Sequence, residues 1–187
     1  MKIQLASELQ SDSIVDGEGM RIVVWTQGCM HNCLGCHNPE THSFTGGTWK
    51  NVDDLKEEIL KFEAQDGITL SGGDPFYQPE ASAELAKWCK DNELNVWCYT
   101  GFTFEQLKVR AKVDYNVKEL LENIDVLVDG KFDMSKKSLN LYFRGSTNQR
   151  ILDIKESLKQ NKAVEIEKYK EIKVYEEYSR ERVGMFI

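Results

Sequence analysis

The strongest constraint on the fold of this chain is a regular alternation of strand-like and helix-like segments between Arg21 and Gly130. Short apolar runs, rich in β-branched residues, favour buried strands at 21–25, 67–73, 95–101 and 125–130. Four segments carry helix signals. Apolar residues recur at helical spacing at 51–62 and at 117–124. One further helix is predicted to begin at Pro79, and another at the capping box at 103–106. Such alternation predicts right-handed strand–helix–strand units and a parallel sheet.

Chain length limits how far this sheet can close. A complete α/β barrel takes about 250 residues, whereas this chain has 187. We therefore predict an α/β fold in which roughly five or six parallel strands form a partial, incomplete TIM-like barrel. A single domain is expected over residues 1–187, with a C-terminal extension at about 160–187. Alternating charged and apolar residues at 163–183 favour a closing strand pair or an edge extension.

Composition and charge narrow the class of protein and its partners. The hydrophobic fraction is 41% and the charged fraction 29%, and no apolar run is long enough to span a bilayer. The first residues lack the apolar block and the cleavage site of a signal peptide. We therefore expect a cytoplasmic protein without a membrane partner. A net charge of −7 also argues against a basic groove for nucleic acid.

The stretch Gly28–His42 holds three of the five cysteines and all three histidines of the chain. Cys29, Cys33 and Cys36 are spaced as C-x3-C-x2-C. In a reducing compartment such a cluster indicates metal binding or redox chemistry rather than disulfides. A purely structural role fits poorly, because these cysteines stand among glycine, asparagine and histidine rather than in an apolar segment.

Two kinds of metal site remain open from the spacing alone. A zinc site would complete three thiolates with one histidine, although structural zinc sites normally contain two separated ligand pairs. A 4Fe–4S cube would take one thiolate per iron and leave the fourth iron open to a small molecule. Cys89 or Cys98 is an alternative fourth thiolate, but an apolar helix stripe and a strand interior favour core positions for these two residues.

Unusual residues follow each of the four predicted strands. They are Gly28-Cys29, Ser71-Gly72-Gly73, Tyr99-Thr100-Gly101 and Asp129-Gly130. Ligands of parallel α/β sheets bind at the carboxyl ends of the strands. We therefore expect these four stretches to face one cleft.

These motifs, in this order, resemble the radical S-adenosylmethionine superfamily. The three-cysteine motif after the first strand and the glycine pair of SGGDP (71–75) after the second carry that resemblance. A closer similarity is to the activating proteins of anaerobic ribonucleoside-triphosphate reductase, which are glycyl-radical activating enzymes. It covers about residues 10–155 and rests on the further motifs DGEGMR (16–21), GCMHNCLGCHNPETH (28–42), YTG (99–101), VDGKF (128–132) and RGSTNQR (144–150).

The resemblance implies an oxidoreductase with a radical SAM fold. Cys29, Cys33 and Cys36 are implied to hold a 4Fe–4S cluster whose fourth iron is chelated by S-adenosylmethionine. One electron from a low-potential donor would cleave that cofactor to methionine and a 5′-deoxyadenosyl radical. The radical would then take a hydrogen atom from a glycine of the large subunit of the reductase.

The resemblance also implies a set of cofactor-binding residues: Gly35, Cys36, His37, Gly72, Gly73, Asp74, Thr100 and Asp129. The glycine pair allows the backbone to approach the methionyl amino group, where a Cβ would obstruct it. Gly35 stands where many superfamily members carry an aromatic residue near the adenine, so His37 either supplies part of that contact or faces solvent. Asp129 is either a ligand of the ribose, the methionine or a cation, or an ordinary turn residue.

Several roles stay open at this stage. Arg144, Asn148 and Arg150 of the late motif are candidates for contact with the cofactor or the partner, and an ion pair is the alternative for Arg150. His31, between the first two cysteines, is expected to be exposed or hydrogen-bonded to the loop.

Two other functions remain as alternatives: a radical SAM enzyme that acts on a small molecule, and a non-enzymatic zinc or iron–sulfur module.

Overall fold

The computed structural model of this protein describes residues 1–170. Within that range the strands are β1 Lys2–Leu5, β2 Gln10–Ser13, β3 Arg21–Thr26, β4 Thr48–Asn51, β5 Gly67–Gly72, β6 Asn95–Tyr99, β7 Val126–Asp129 and β8 Arg150–Asp153. The α-helices are α1 Val52–Ile59, α2 Pro79–Asp91, α3 Phe104–Arg110, α4 Tyr115–Glu122 and α5 Ile154–Gln160. The four strands and the helices predicted between Arg21 and Gly130 are therefore confirmed.

Helix starts follow the local signals in the sequence. The Asn51 side chain accepts a hydrogen bond from the backbone N–H of Asp53 and so caps α1. Thr103 and Gln106 form both bonds of the predicted capping box at the start of α3. These contacts satisfy backbone donors that the first helical turn leaves unpaired.

The sheet is mixed, which corrects the expectation of roughly five or six parallel strands. Its spatial order is β4-β1-β3-β5-β6-β7-β8, and β2 pairs with β3 at the side of this path. In the described chain, parallel pairing is limited to β3, β5, β6 and β7. The strands β1, β2, β4 and β8 pair with their neighbours in antiparallel fashion.

The connections between the strands explain why the sheet is mixed rather than parallel. A parallel pair needs a long crossover, usually a helix, between its strands. The first such helix, α1, comes only after β4, and the connection from β7 to β8 contains only a short 3-10 turn at Met134–Lys136. Without crossover helices, the chain adds these strands to the sheet in the opposite direction.

The predicted closing strand pair at 163–183 lies partly outside the described residues. Within the described part, Glu165 forms an isolated antiparallel bridge with Leu152 of β8. A 3-10 turn at Glu167–Tyr169 follows.

One face of the sheet packs against all five helices. Successive strand residues point to opposite faces, so alternate positions such as Leu70 and Cys98 enter this helix-side core. Cys89 of α2 joins the same core, and both of these cysteines are fully buried. Their predicted core positions are confirmed. None of the helices in residues 1–170 combines the length and the apolarity needed to cross a membrane.

The other face carries an aromatic cluster around a buried arginine. Trp97, Val128 and Tyr169 pack together there. The Arg21 guanidinium lies 5.5 Å from the centre of the Trp97 ring and donates to Thr69 Oγ1 at 2.7 Å. Backbone carbonyls and the side-chain oxygen of Asn95 accept its remaining hydrogen bonds, so this buried charge is satisfied.

We expect Leu70→Ala to destabilise the fold by about 2–5 kcal/mol, because Leu70 lies fully buried in the central parallel strand β5. Urea unfolding of the reduced, cluster-free protein measures this loss. Leu60→Ala is the matched control, because Leu60 is 65% exposed and its truncation should cost less than about 0.5 kcal/mol. Equal losses in the two variants would contradict the described core.

Candidate functional site

The carboxyl ends of the four parallel strands meet in one cleft. All three cysteines of the motif line it, together with the glycine pair at the end of β5 and residues Tyr99–Gly101 at the end of β6. Gly130, directly after β7, lines it as well. Each of the four stretches therefore contributes at least one residue to this cleft as expected, although Gly28 and Asp129 do not line it.

The cysteine loop is closed at its base by backbone hydrogen bonds. The N–H of Gly28 donates to the carbonyl of Thr41 at 2.8 Å, and the N–H of Cys29 donates to the carbonyl of His42 at 3.1 Å. Gly28 has φ +100, a left-handed conformation that favours glycine. The two ends of the loop are thus held side by side, and Cys33 and Cys36 lie in the part that projects between them.

Backbone N–H groups lie near the sulfurs of the motif cysteines. The N–H of Asn38 donates to Cys36 Sγ at 3.4 Å. The backbone of His31 acts to lower the pKa of Cys29, and that of Phe132, after β7, acts to lower the pKa of Cys33, each against the larger effect of burial. Hydrogen bonds to sulfur ligands help to set the potential of an iron–sulfur cluster.

Burial acts against ionisation of these thiols in the cluster-free chain. Desolvation raises the pKa of Cys29 to about 11 and also raises the pKa of Cys33. Because the thiolate is the form that binds metal, loading of a metal centre must release protons from these residues.

The cysteine loop does not form a compact site for one ion. In residues 1–170 no three His, Cys, Asp or Glu side chains converge on a point where a single metal could sit. A cubane does not need such convergence, because each thiolate binds a different iron. The three half-buried thiols on one cleft fit that kind of cluster.

Gly72 and Gly73 bring the end of β5 against the start of the cysteine loop. A Cβ on Gly72 would lie 2.5 Å from backbone atoms of Thr26, and one on Gly73 would lie 2.4 Å from the carbonyl oxygen of Gly28. The N–H of Gly73 donates to Thr26 at 2.7 Å. These glycines are thus required by close contact within the chain, a reason that the sequence alone did not reveal.

Asp74 is fully buried and connects three segments of the site. Its Oδ2 accepts hydrogen bonds from Thr100 Oγ1 at 2.8 Å and from the N–H of Gly101 at 3.0 Å. His31 Nε2 lies 2.6 Å from the same oxygen. Its Oδ1 accepts from the N–H of Phe76 at 2.9 Å. Asp74 and Thr100, which were both predicted to contact the cofactor, are therefore hydrogen-bonded to each other.

The His31 ring lies among aromatic side chains next to Asp74. It packs edge-on against Phe102, with ring centres 4.5 Å apart, and lies 5.6 Å from Tyr77. A Cβ on Gly101 would lie 2.4 Å from the ring, so the glycine of the YTG motif makes room for it. Both predicted positions of His31, exposed or hydrogen-bonded to the loop, are therefore wrong, because its ring is buried and its partner is Asp74.

Asp129 is buried and lies away from the cleft surface. Its oxygens accept from Arg150 at 2.9 and 2.5 Å and from the backbone N–H of Phe104 at the start of α3. Arg150 also forms an ion pair with Glu105 at 2.8 Å. The ion-pair alternative for Arg150 is confirmed.

The rest of the late motif also makes contacts within the chain. Arg144 donates to the carbonyl of Tyr169 at 2.8 Å, and Asn148 donates to the carbonyl of Lys131 at 2.8 Å. Gln149 donates to the carbonyl of Gly130 at 3.1 Å and lines the cleft. Sequence reasoning missed Gln149, although it stands inside the RGSTNQR motif.

Gly35 and His37, two of the predicted cofactor residues, are not among the described residues that line the cleft. Gly35 has φ +74, and a Cβ there would lie 2.1 Å from the Met134 methyl group. The exposed His37 ring lies 5.2 Å from the Phe132 ring. Phe132 lines the cleft and is the aromatic residue that sequence reasoning missed, although the VDGKF motif contains it.

We expect the effects of substitutions at His31 and Asp74 on the free energy of unfolding to be coupled, because the two side chains are in contact. In a double-mutant cycle with His31→Ala and Asp74→Asn, the coupling should reach about 1.5–3 kcal/mol, because the hydrogen bond is buried and charged. Urea unfolding of the cluster-free protein gives these values. His37→Ala is the control within the same loop, and its loss should stay below about 0.5 kcal/mol. Additive losses for His31 and Asp74 would show that the contact is not formed.

Glu105 should contribute to acid resistance. The hydrogen bond from Arg150 lowers its pKa from 4.5 to about 2. A lowered folded-state pKa gives a stabilising contribution that is present above about pH 4.5 and is lost as the pH falls toward 2. Glu105→Gln should therefore flatten the fall of the urea midpoint across this window. Glu57→Gln, on the exposed side of α1, should leave the slope nearly unchanged, and a wild-type slope in Glu105→Gln would contradict the ion pair.

Comparison with known proteins gives consistent matches. The family described as 4Fe-4S single cluster domain matches residues 15–152. Two relatives are named anaerobic ribonucleoside-triphosphate reductase-activating protein. The one from Enterobacteria phage T4 is 36% identical to this chain, over 73% of this chain and 86% of the phage protein. The one from Pasteurella multocida is 38% identical, over 73% of this chain and 89% of that protein. A pyruvate formate-lyase-activating enzyme of Clostridium pasteurianum is 33% identical over 66% of this chain and 50% of its own.

Among solved structures, QueE from Escherichia coli is 19% identical, with a TM-score of 0.45 over 55% of this chain and 54% of that chain. The sequence relatives and the matched domain agree with the motifs and with the cleft that the three cysteines share. This chain belongs to the family of anaerobic ribonucleoside-triphosphate reductase-activating proteins, and its residues 15–152 form a 4Fe-4S single cluster domain.

Proposed function

We propose that this chain is an activase that reductively cleaves S-adenosylmethionine at a 4Fe–4S cluster and so generates a glycyl radical on anaerobic ribonucleoside-triphosphate reductase. The observation that carries the proposal is the shared cleft of the C-x3-C-x2-C cysteines and the Gly72–Gly73 corner. The name of the relatives supports the choice of partner. When bound, the cluster supplies the electron that breaks the sulfonium bond, and the chain itself positions the reactants and excludes water.

In this proposal Cys29, Cys33 and Cys36 each bind one iron and leave the fourth iron for the cofactor. Two observations support the open position. Cys89 and Cys98, which are the other cysteines of the chain, are fully buried in the helix-side core. The three motif cysteines, by contrast, are half-buried and line the cleft.

In the proposal, some of the remaining predicted residues contact S-adenosylmethionine directly and others support the site without touching it. We assign direct contact with S-adenosylmethionine to Gly72, Gly73, Cys36 and Thr100, which line the cleft. We assign the adenine end to Gly35 and His37, with the ring of Phe132 as the neighbouring aromatic surface.

Asp74 and Asp129 act indirectly in the proposal. Asp74 holds His31 and Thr100 in place, so it positions the cysteine loop rather than touching the cofactor. Asp129 fixes the start of α3 and the Arg150 side chain at the end of β7.

A curved, partly closed sheet is the architecture we propose for this site. The two edge strands of the main path, β4 and β8, are not neighbours, so the sheet stays open. A groove contains the exposed side chains of Ile14, Val15 and Leu139, and it shares Tyr99 with the cleft. Such an opening suits a segment of a protein substrate. We also place the protein in the cytoplasm, where a reducing environment keeps such thiols free.

Anaerobic reconstitution with iron and sulfide tests the function. With dithionite and S-adenosylmethionine, the parent protein should release 5′-deoxyadenosine, and Cys33→Ala should abolish this release because one iron loses its ligand. Cys89→Ala is the matched control and should retain cleavage, since Cys89 lies in the core. Failure of the reconstituted parent protein to cleave S-adenosylmethionine would refute the proposal.

Electron paramagnetic resonance then identifies the substrate. With the reductase present, a glycyl radical should appear on the reductase. Cleavage without that signal would favour the small-molecule alternative.

A further inference from the structure

His42, at the end of the cysteine loop, is a residue that the proposed function does not use. It is half-buried and lines the cleft together with Cys29, Cys33 and Cys36. Its carbonyl oxygen accepts a hydrogen bond from the N–H of Cys29 at 3.1 Å, so the backbones of these two residues lie side by side. The cleft that contains the three thiols therefore also contains a histidine.

The other two histidines of the loop are placed differently. His31 Nε2 lies 2.6 Å from the buried carboxylate of Asp74, which holds the His31 ring in place. The His37 ring lies 5.2 Å from the Phe132 ring, and His37 is not among the described residues that line the cleft. Of the three histidines, His42 is therefore the one that lines the cleft without a carboxylate partner.

Most other polar side chains that line the cleft are already hydrogen-bonded within the chain. Tyr99, Thr100 and Gln149 each donate a side-chain hydrogen bond to another residue. Apart from the cysteines, the polar side chains of the cleft that have no hydrogen-bond or ion-pair partner in residues 1–170 are those of His42 and Ser71. These two side chains are therefore the candidates to bind a group inside the cleft.

The proposed cluster presents such a group. Three thiolates bind three of its irons, and the fourth iron needs another ligand whenever S-adenosylmethionine is absent. Imidazole suits iron better than a neutral hydroxyl, whose oxygen resembles the water and carbonyl oxygens that harder ions prefer. Histidine also replaces cysteine on one iron of Rieske clusters. The chemistry of the fourth iron therefore favours His42 over Ser71.

The surroundings of His42 suit a ligand that can leave. A histidine that binds a metal permanently usually donates its other ring N–H to a fixed acceptor, which orients the ring. In the described part of the chain, the His42 ring has no such acceptor. The ring is therefore held by few contacts and can turn away when a stronger ligand arrives.

We propose that His42 binds the fourth iron of the cluster while S-adenosylmethionine is absent, and that the cofactor displaces it. The inference rests on the proposed function, because it requires the cluster and its open iron. The exchange breaks one iron–nitrogen bond and forms the bonds to the amino nitrogen and the carboxylate of the cofactor. The iron keeps its oxidation state, the imidazole leaves as a neutral side chain, and the ammonium group of the cofactor gives its proton to solvent.

Pulsed electron paramagnetic resonance tests the bond directly. The probe is the reconstituted protein, reduced with dithionite, in which every histidine ring is labelled with ¹⁵N. The parent protein should show a ¹⁵N coupling to the reduced cluster. Addition of unlabelled S-adenosylmethionine should remove this coupling and replace it with a ¹⁴N coupling from the cofactor. Absence of the ¹⁵N coupling in the parent protein, or its persistence with saturating cofactor, would overturn the inference.

Variants then assign the coupling to one residue. His42→Ala should lose the ¹⁵N coupling in the cofactor-free state. His37→Ala, in the same loop, should retain it, and so should Ser71→Ala, which removes the other unpartnered side chain of the cleft. A coupling that survives in His42→Ala would assign the nitrogen to another histidine and sink the proposal.

Cofactor affinity gives a second readout that a merely structural role would not produce. Because a bound His42 must leave the iron first, it lowers the apparent affinity for S-adenosylmethionine. His42→Ala should therefore bind the cofactor about threefold more tightly or better, as measured by equilibrium dialysis. Ser71→Ala should show no such tightening. Unchanged or weaker binding in His42→Ala would contradict the competition.

Failure of the proposed function gives a different result. In that case the parent protein would not cleave S-adenosylmethionine with dithionite, whether or not a ¹⁵N coupling is present. A parent protein that cleaves the cofactor but shows no ¹⁵N coupling without it would keep the proposed function and refute the role of His42.

Discussion

A single buried carboxylate, that of Asp74, holds together the part of the structure on which the proposed chemistry depends. It lies between the cysteine loop, the glycine corner after β5 and the corner after β6, and it bonds to all three. A buried charge is costly unless hydrogen bonds satisfy it, and here four donors surround it. Because removing one of these segments would leave the charge under-satisfied, the three segments are held as one unit. The cleft is thus organised by contacts within the chain before any cofactor binds.

The glycines of the site follow from the same constraint. Gly72 and Gly73 let the end of β5 touch the start of the cysteine loop, and Gly101 leaves room for the ring of His31. A side chain at these positions would clash with the end of β3, with the start of the cysteine loop or with the His31 ring. Close contact between strand ends therefore sets the distances between the three cysteines and the glycine corner.

Residues that sequence motifs mark as important divide into two groups in the structure. Cys29, Cys33, Cys36 and Thr100 line the cleft. Asp129 and Arg150 instead bond to each other and support the end of β7 from behind. A motif shows that a residue matters, but it does not distinguish contact with a ligand from support of a neighbour.

The sequence by itself determined the elements whose signals are local. Apolar runs marked the four parallel strands, and side chains within three residues capped α1 and α3. The cysteine spacing indicated the metal chemistry, since three ligands in eight residues need no distant partner. Only the tertiary structure decided the antiparallel edges of the sheet, because strand direction depends on which connections contain helices. It also decided the pairing of His31 with Asp74, 43 residues apart, and the approach of Phe132 to the cysteine loop. Such contacts leave no periodic trace in the sequence, because they arise only when strand ends distant along the chain meet at one edge of the sheet.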